Sequence, residues 1–478
     1  MNKLSFSRRA RVLLLACLGA GRTLAAVPSS AEAFEARLNS ELGVAGGLTS
    51  RELGRRALET SFDIGARQQE LLAAAAEADR ALLGYLPELT LAASYTRLSD
   101  LGTASLGNVV MAPGEPVGAL PANAQLVNVP IEIKSILNQY VLQANLLVPV
   151  SDYFLRVAPA RSAAEHAQCA AASNVEAARS RVLADARVAY YSWVRAKLSV
   201  AVAEQALEDA QAHLADSRVA AQAGSASPAD VLRLESQVAR SELYLVSARS
   251  VAAVAEEQVR AALHDAGERV LAIAEDVREP SNDRSQVSQV AHLHELTQQA
   301  YQNRPELKAL SDNAAASSIR ARIERAGYAP RLDALGAATY ANPNPRAFPP
   351  REEFKGTWQA GVRLSWNITD IASARLRARA TEARSAAALS ERSALMDRIR
   401  VEVRAAVQAV DDSRTALETT QRSQDAAEES YRVRRLSYQN GRATSVELLD
   451  AETDLTRARL ERLNAEVDAR VAQVRLDY

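Results

Sequence analysis

The side chains that could act as catalysts or metal ligands are few and scattered in this sequence. The chain contains five histidines, of which His292 and His294 are two residues apart. On a strand this spacing would place both rings on one face, but here the pair begins a helical segment and is better explained as a solvated helix start. There is no Walker loop, no G-x-S-x-G motif and no paired-cysteine motif. We therefore expect no enzyme, no metal site and no cofactor.

Two acidic residues, Glu447 and Asp450, have a more informative spacing. Residues three apart on a helix lie on one face, so the two carboxylates should be neighbours. The first turn of any helix also favours acidic side chains, because the backbone N–H groups there carry partial positive charge. Whether the pair does more than begin a helix depends on the elements that hold it.

The composition indicates long helices in water rather than a compact enzyme core. The chain has 478 residues and a formal net charge of −1, and 48% of its residues are hydrophobic although only 5% are aromatic. The balanced charge gives no bias toward nucleic acid, so no nucleic-acid partner is expected. Beyond residue 30, no apolar run approaches the roughly 20 residues of a membrane-spanning helix. An exported chain of this kind would be periplasmic or a β-barrel.

The first residues predict export from the cytoplasm. A basic start is followed by the short apolar segment 12–20 and by small residues suited to cleavage, which predicts a signal peptide over residues 1–26. The stretch Leu14-Leu15-Ala16-Cys17 partly resembles a lipobox, so lipidation of Cys17 stays open as an alternative. The other cysteine, Cys169, falls in a helical stretch, and no disulfide framework is indicated.

The rest of the chain is an internal repeat. Each half reads helix, strand, loop, strand, very long helix, sharp turn and helix. We predict a first repeat over residues 49–266, a polar linker over 267–290 and a second repeat over 291–478. The matching pairs are Pro87 with Pro330, Asp152 with Asp370, Gly224 with Gly441, Asp230 with Glu447, and Glu235 with Glu452. The offset shrinks between the first two pairs, so the first half carries an insertion there.

Four segments alternate between apolar and polar residues with a period of two, which is typical of transmembrane barrel strands. They are 88–98, 139–150, 331–341 and 357–368. Four strands cannot close a barrel, since even small barrels need about eight. Either several chains share one barrel or the strands form one buried face of a soluble sandwich. The intervening segment 101–137 is predicted to be an exposed loop.

Two segments free of proline and glycine, 160–222 and 371–440, predict very long helices. The second would be about 100 Å long. Apolar residues recur every seven positions, which predicts coiled-coil packing. The stripes include Trp193, Val200, Leu207 and Leu214 in one helix and Leu389, Met396, Val403 and Val410 in the other. A generic fibrous coiled coil would show the same stripes. Pro159 marks the start of the first long helix or kinks its first turns.

Two motifs resemble those of the TolC outer-membrane efflux family, and the resemblance covers essentially the whole mature chain. Asn303-Arg304-Pro305-Glu306-Leu307 looks like the "NPEL" turn of the family's opening helix. Residues 438–451, YQNGRATSVELLDA, look like the family's tip motif, Y-x-x-G-x-x-x-x-x-(D/E)-(V/L)-L-D-A. A Gly-Tyr-x-Pro before a strand also matches.

The resemblance implies a mixed fold and a transport function. Three protomers would each give four strands to one shared barrel of twelve strands in outer-membrane lipid, and their helices would continue as a hollow α-barrel across the periplasm. The homotrimer would be the passive exit duct of an efflux pump or a type I secretion system. Its partners would be a periplasmic adaptor and an inner-membrane pump or ABC transporter. The alternative is a periplasmic coiled-coil spacer without a pore, which explains the heptads but not the alternating strands.

The resemblance also implies roles for residues at the tips. Glu447 and Asp450 match acidic positions that line the family's periplasmic constriction, where a trimer makes rings of three carboxylates that favour cations. Asp230 matches a position that latches the closed tips, with Tyr438 as its expected hydrogen-bond partner. This sequence has Ala443 where the family has a tip arginine.

Three further tip residues complete these expectations. Arg442, beside Ala443, is the candidate replacement for the missing arginine of the latch. Gly224 and Gly441 lie where the long helices turn back, and the resemblance makes them candidates for contact with the adaptor. Glycine at such turns also suits an ordinary helix end.

Overall fold

The computed structural model describes residues 30–100, 102, 104–111, 125–133, 136–224, 226–264, 271–279 and 292–478. The predicted signal peptide with Cys17, and most of the predicted linker, lie outside the described residues.

The described residues form ten α-helices, in chain order, and one π-helical turn precedes the fifth. The helices are α1 Ser30–Glu41, α2 Ser50–Thr60, α3 Phe62–Leu83, α4 Val150–Asp152, α5 Ala158–Gln222, α6 Pro228–Leu263, α7 Leu293–Asn303, α8 Pro305–Arg325, α9 Ile368–Gln439 and α10 Ser445–Asp477. None of them combines the length and the hydropathy that a membrane-crossing helix needs.

The helix predicted at the start of each half is interrupted once. Ser61 ends α2 and caps α3, and Arg304 separates α7 from α8. Arg304 is extended because the ring of Pro305 disfavours a helical conformation in the preceding residue. The interruptions occupy corresponding positions of the two halves, so the repeat extends to this detail. At the start of α2, Thr49 Oγ1 accepts the Glu52 N–H at 3.1 Å and caps the helix.

The four predicted strands are confirmed, and they form one antiparallel sheet in the order β1-β4-β5-β6. The strands are β1 Glu88–Arg97, β2 Ala104–Met111, β3 Val127–Ile133, β4 Asn138–Val148, β5 Arg331–Asn342 and β6 Lys355–Ser365. Leu142 of β4 stands opposite Tyr340 of β5, so the two halves of the chain join in the middle of the sheet.

The prediction of an exposed loop over 101–137 was wrong in part. β2 and β3 lie inside that segment and pair antiparallel, with Val109 opposite Val129. The prolines and glycines around them suggested a loop, whereas the β-branched valines favour strands. This hairpin is the insertion by which the first half exceeds the second.

The two long helices extend over 65 and 72 residues, close to the predicted bounds. Pro159 lies in the first turn of α5, directly after the π-helical turn Tyr153–Val157, so it marks a change of helix type in a backbone that is already helical before it. α5 turns back into α6, and α9 turns back into α10. α5 also packs against α8 and α10, which places the two helical hairpins side by side.

The largest apolar core surrounds Trp193 and Tyr190, whose side chains are fully buried on α5. Residues 271–279, which we call the strap, belong to the predicted linker and pack over one side of this core. Ile273 of the strap pairs with Leu48 as a parallel bridge and is 1% exposed. Glu275 of the strap accepts hydrogen bonds from the Ser50 backbone N–H at 2.6 Å and from its hydroxyl at 2.9 Å.

Candidate functional site

The site that the sequence predicts lies at the tips of the two helical hairpins. Gly224 and Gly441 occupy the turns with φ of +76° and +68°, in the left-handed region that favours glycine. A Cβ at either position would meet no atom within 4 Å, so the backbone conformation alone demands glycine there. Both glycines are exposed, and they end α5 and α9 in the same way.

The returning helices of both hairpins begin with the same capping box. Ser227 exchanges hydrogen bonds with Asp230 at the start of α6, and Thr444 does so with Glu447 at the start of α10. These bonds favour the ionised acids: the Ser227 hydroxyl lowers the pKa of Asp230, and the Thr444 N–H lowers the pKa of Glu447. Each acid therefore stabilises its own helix start, whatever else it does.

A polar contact, which we call the tip clasp, joins the two hairpins. The hydroxyl of Ser445, on α10, donates to Asp230 Oδ1 on α6. Arg233 Nη1 donates to the same hydroxyl at 3.2 Å and lies 3.6 Å from Asp230 Oδ1. Ser445 is 4% exposed, so the clasp is shielded from water on the α10 side.

The clasp differs from the predicted latch. Within this chain, the described contacts of Asp230 run to Ser227, Ser445 and Arg233, and do not include the predicted partner Tyr438. Tyr438 instead packs beside the apolar cluster around Tyr431. It lies on α9, whereas Asp230 is engaged by the start of α10, which follows the tip turn.

Arg442, Glu447 and Asp450 lie at the surface of the α9/α10 tip within one chain. Arg442 is exposed, and among the described residues its guanidinium has no partner. Glu447 accepts from Arg434 Nη1 at 3.0 Å and keeps 43% of its side chain exposed. Asp450 is exposed, and its carboxylate has no partner among the described residues. The tip thus presents one capped acid and one free acid to solvent or to another chain.

We expect Ser445→Ala to destabilise the protein by about 1 kcal/mol, because it removes the hydroxyl that links Asp230 and Arg233. Thermal unfolding of the purified protein measures the loss. Ser250→Ala is the matched control, since that exposed hydroxyl bonds only to Val246 of its own helix. Equal, negligible shifts in both variants would show that the clasp contributes nothing.

Apolar layers support the clasp from inside. Leu234 is fully buried and packs with Leu214 and Leu449, one residue from each of α6, α5 and α10. Leu448, also fully buried, packs against Tyr431 of α9. Burying a leucine side chain contributes about 1.5–3 kcal/mol, so these layers stabilise the tips more than the clasp does.

About two helical turns from the tips lies a buried polar group of three side chains, which we call the inter-hairpin cluster. His213 Nε2 of α5 lies 2.8 Å from the Tyr431 hydroxyl of α9 and 4.0 Å from Glu452 Oε2 of α10. The sequence did not predict these three residues as a group, and it named Glu452 only as the repeat equivalent of Glu235. No local pattern marks the group, because the residues seven positions apart from Glu452 on α10 are Ser445 and Arg459, which are also polar.

The described residues contain no group of three or more His, Cys, Asp or Glu side chains placed to hold a metal ion.

The sequence matches the family described as "Outer membrane efflux protein" over residues 53–264 and 296–478, which is most of the chain. The chain belongs to this family. It is accordingly an outer-membrane protein that extends into the periplasm, a homologue of the outer-membrane channels of efflux pumps and not an enzyme.

Solved channel structures share the fold of this efflux protein. The outer-membrane channel OprN aligns with a TM-score of 0.70 at 19% identity, covering 92% of this chain and 94% of that one. VceC from Vibrio cholerae aligns with a TM-score of 0.70 at 17% identity, covering 92% and 95%. CmeC from Campylobacter jejuni aligns at 0.69 and 14%, covering 91% and 88%. No curated protein sequence matches this efflux protein significantly.

Proposed function

We propose that three copies of this efflux protein form one exit duct through the periplasm and outer membrane. In this proposal the duct works with a periplasmic adaptor and an inner-membrane pump or ABC transporter, and it passes small molecules or polypeptides without chemical change. The family and the shared fold support an efflux role. The main support for a trimer is the four-stranded sheet, which has too few strands to close a barrel within one chain.

Among the described residues, the four-stranded sheet of one protomer has two unpaired edge strands, β1 and β6, and an uncovered apolar face. On β6 the side chains of Trp358, Val362 and Leu364 are 77%, 72% and 69% exposed. Free edges and a large exposed apolar face are each unfavourable for a protein in water. Pairing β6 of one copy with β1 of the next would satisfy the edges, and lipid would cover the apolar face.

A second surface that calls for another copy runs along α6. Four large apolar side chains recur there at helical spacing, and each is more than 60% exposed: Leu232, Leu243, Val246 and Val254. Their positions fall within one narrow stripe of the helix. The two faces of α6 would therefore serve different contacts, one to α5 of its own chain and one to the neighbouring protomer.

We assign Glu447 and Asp450 to the inner wall of the closed end, and Gly224 and Gly441 to contacts with the adaptor. The exposure of Asp450 and the lowered pKa of Glu447, which hydrogen bonds from Thr444 keep ionised, support an acidic ring. Three copies would give six carboxylates in a narrow opening, which favours cations over anions. In the same assembly Asp230, Tyr438 and Arg442 hold the tips closed.

The test is conductance of the purified mature protein in a planar bilayer, comparing the wild type with the double variant Glu447→Gln/Asp450→Asn. Both substitutions keep the side-chain shape, and glutamine also serves in a capping box, so the charge is the main change. We expect discrete channels with weak cation preference in the wild type. In the double variant the cation-to-anion permeability ratio should fall toward one.

Asp454→Asn is the control, because Asp454 lies on the same helix, is 64% exposed and pairs only with Arg457. It should leave the selectivity unchanged. Channels whose selectivity survives the double substitution would retain the duct and remove the acidic ring. A folded, membrane-inserted protein without channels would favour the coiled-coil spacer.

A further inference from the structure

The inter-hairpin cluster contains a buried acid that the proposed function does not use. Glu452 is 3% exposed, and neither oxygen of its carboxyl group has a hydrogen-bond partner among the described residues. His213 Nε2, the nearest basic atom, is 4.0 Å away and is already engaged by the Tyr431 hydroxyl. An ionised carboxylate in such a place loses its hydration without replacement, which is strongly unfavourable.

The repeat supplies an internal comparison. Glu235 occupies the position in the first half that Glu452 occupies in the second. Its side chain is 42% exposed, and its carboxylate accepts from Arg218 at 2.8 Å. The same residue type in the same place of the repeat is thus solvated and paired in one hairpin, and buried without a partner in the other.

In the described part of the chain, no arginine or lysine pairs with Glu452. Arg459 lies on the same helix, but seven residues correspond to about 10 Å along the axis, and its nearest acid is Glu428 at 3.7 Å. The other charged groups around the cluster are Asp209 on α5, Arg435 on α9 and Glu35 on α1. Asp209 adds repulsion toward an ionised Glu452. α6 contributes the apolar Leu234 to the adjacent layer.

The protonation equilibria agree with this geometry. Burial raises the pKa of Glu452 from its ordinary 4.5 to about 8, with a further contribution from Asp209. Burial lowers the pKa of His213 from 6.5 to about 4, with a contribution from Arg435. Near neutral pH both side chains are therefore uncharged, and the cluster packs as a neutral polar group.

We propose that Glu452 binds a proton at the contact between the two hairpins, and that loss of this proton loosens the packing of α10 against α5 and α9. The ligand of this site is the proton itself. Because α9 and α10 form one hairpin and α5 belongs to the other, proton release would free one hairpin to shift relative to its neighbour. Protein stability reports this loosening whether or not the protein conducts ions.

The expected pH dependence follows from the raised pKa. The folded protein keeps a proton on Glu452 that the unfolded chain releases above pH 4.5, so this contribution to stability is full below pH 4.5 and declines up to about pH 8. The lowered pKa of His213 acts only below pH 6.5. Between pH 6.5 and about 8, Glu452 should therefore dominate.

The experiment is thermal unfolding of the intact protein in detergent between pH 6.5 and 8.5. We expect the wild-type Tm to fall by a few degrees over this interval and the Tm of Glu452→Gln to stay nearly constant. Glu235→Gln is the matched control and should follow the wild type. A wild-type slope that persists in Glu452→Gln would overturn the proposal.

Infrared spectroscopy provides a direct reading of the proton. A protonated carboxylic acid C=O band should be present at pH 7, disappear by pH 9 and be missing in Glu452→Gln, but be retained in Glu235→Gln. If Glu452 is a carboxylate at pH 7, the cluster is a His213–Glu452 ion pair and the proposal fails. The infrared band also shows whether Glu452 is protonated if the unfolding transition of Glu452→Gln is too broad to compare with that of the wild type.

Discussion

Trp193→Ala should lower the free energy of unfolding by about 3–5 kcal/mol, which is the range for removing a large aromatic side chain from a packed core. Trp193 is fully buried and meets the Tyr190 ring edge-to-face, with 6.0 Å between centroids. The surrounding core includes Val259 of α6 and Val467 of α10, so the cavity would weaken three helices at once. Thermal unfolding and the yield of folded protein measure the effect.

Trp193→Phe is the control for that prediction. Phenylalanine retains most of the ring contacts and removes an indole N–H that has no hydrogen-bond partner in the structure. The loss of stability should therefore be much smaller than for alanine. If both variants unfold like the wild type, Trp193 is not at the centre of the core that holds these helices together.

Gly47→Ala should detach the strap, residues 271–279. We expect the free energy of unfolding to fall by about 1–3 kcal/mol, because the added methyl group overpacks the contact. A Cβ at Gly47 would stand 2.7 Å from Ala272 O and 2.9 Å from Ala274 N, which are backbone atoms. These same atoms bond to Leu48 at 2.7 and 3.0 Å, so they cannot retreat without breaking the pairing. We expect a lower Tm and faster cleavage by trypsin after Arg278, which is held by Asp276 and Glu35 in the strap's docked position.

Gly65→Ala tests whether that effect is specific. Gly65 lies within α3, and a Cβ there would meet nothing within 4 Å. Alanine is favoured over glycine in a helix by up to about 1 kcal/mol, so this variant should be slightly more stable. Its tryptic pattern should match the wild type. Equal sensitivity of both variants at Arg278 would mean that Gly47 does not position the strap.

The long helices and the strands of the four-stranded sheet were predictable because the same spacing of apolar residues recurs along each of them. Heptads containing Trp193 and Leu214 predicted long packed helices, and alternation around Trp358 predicted a strand. The β2–β3 hairpin was missed since its two strands pair only with each other and are separated by a stretch rich in proline and glycine. Such pairing depends on contacts between distant residues, which no single segment reveals.

The tip was predictable only in part, for a similar reason. The turn at Gly441 and the acid at Glu447 follow local rules for ending and beginning a helix, and both lie at the predicted tip. The clasp partners Ser445 and Arg233 come from different hairpins, so their contact depends on how the hairpins align. The burial of Glu452 has the same origin: its equivalent Glu235 has a similar local sequence and a solvated side chain.

The exposed thiol of Cys169, on α5, makes the protein a ready subject for distance measurements without any engineered residue. The sequence contains one other cysteine, Cys17, which falls in the predicted signal peptide. A nitroxide attached there would place one spin on each copy of the chain. In a threefold assembly the spins would form an equilateral triangle, and pulsed dipolar spectroscopy would return a single distance. A dimer would also give a single distance, but with a shallower modulation because each label then has one partner spin and not two, so the same label reports the number of copies.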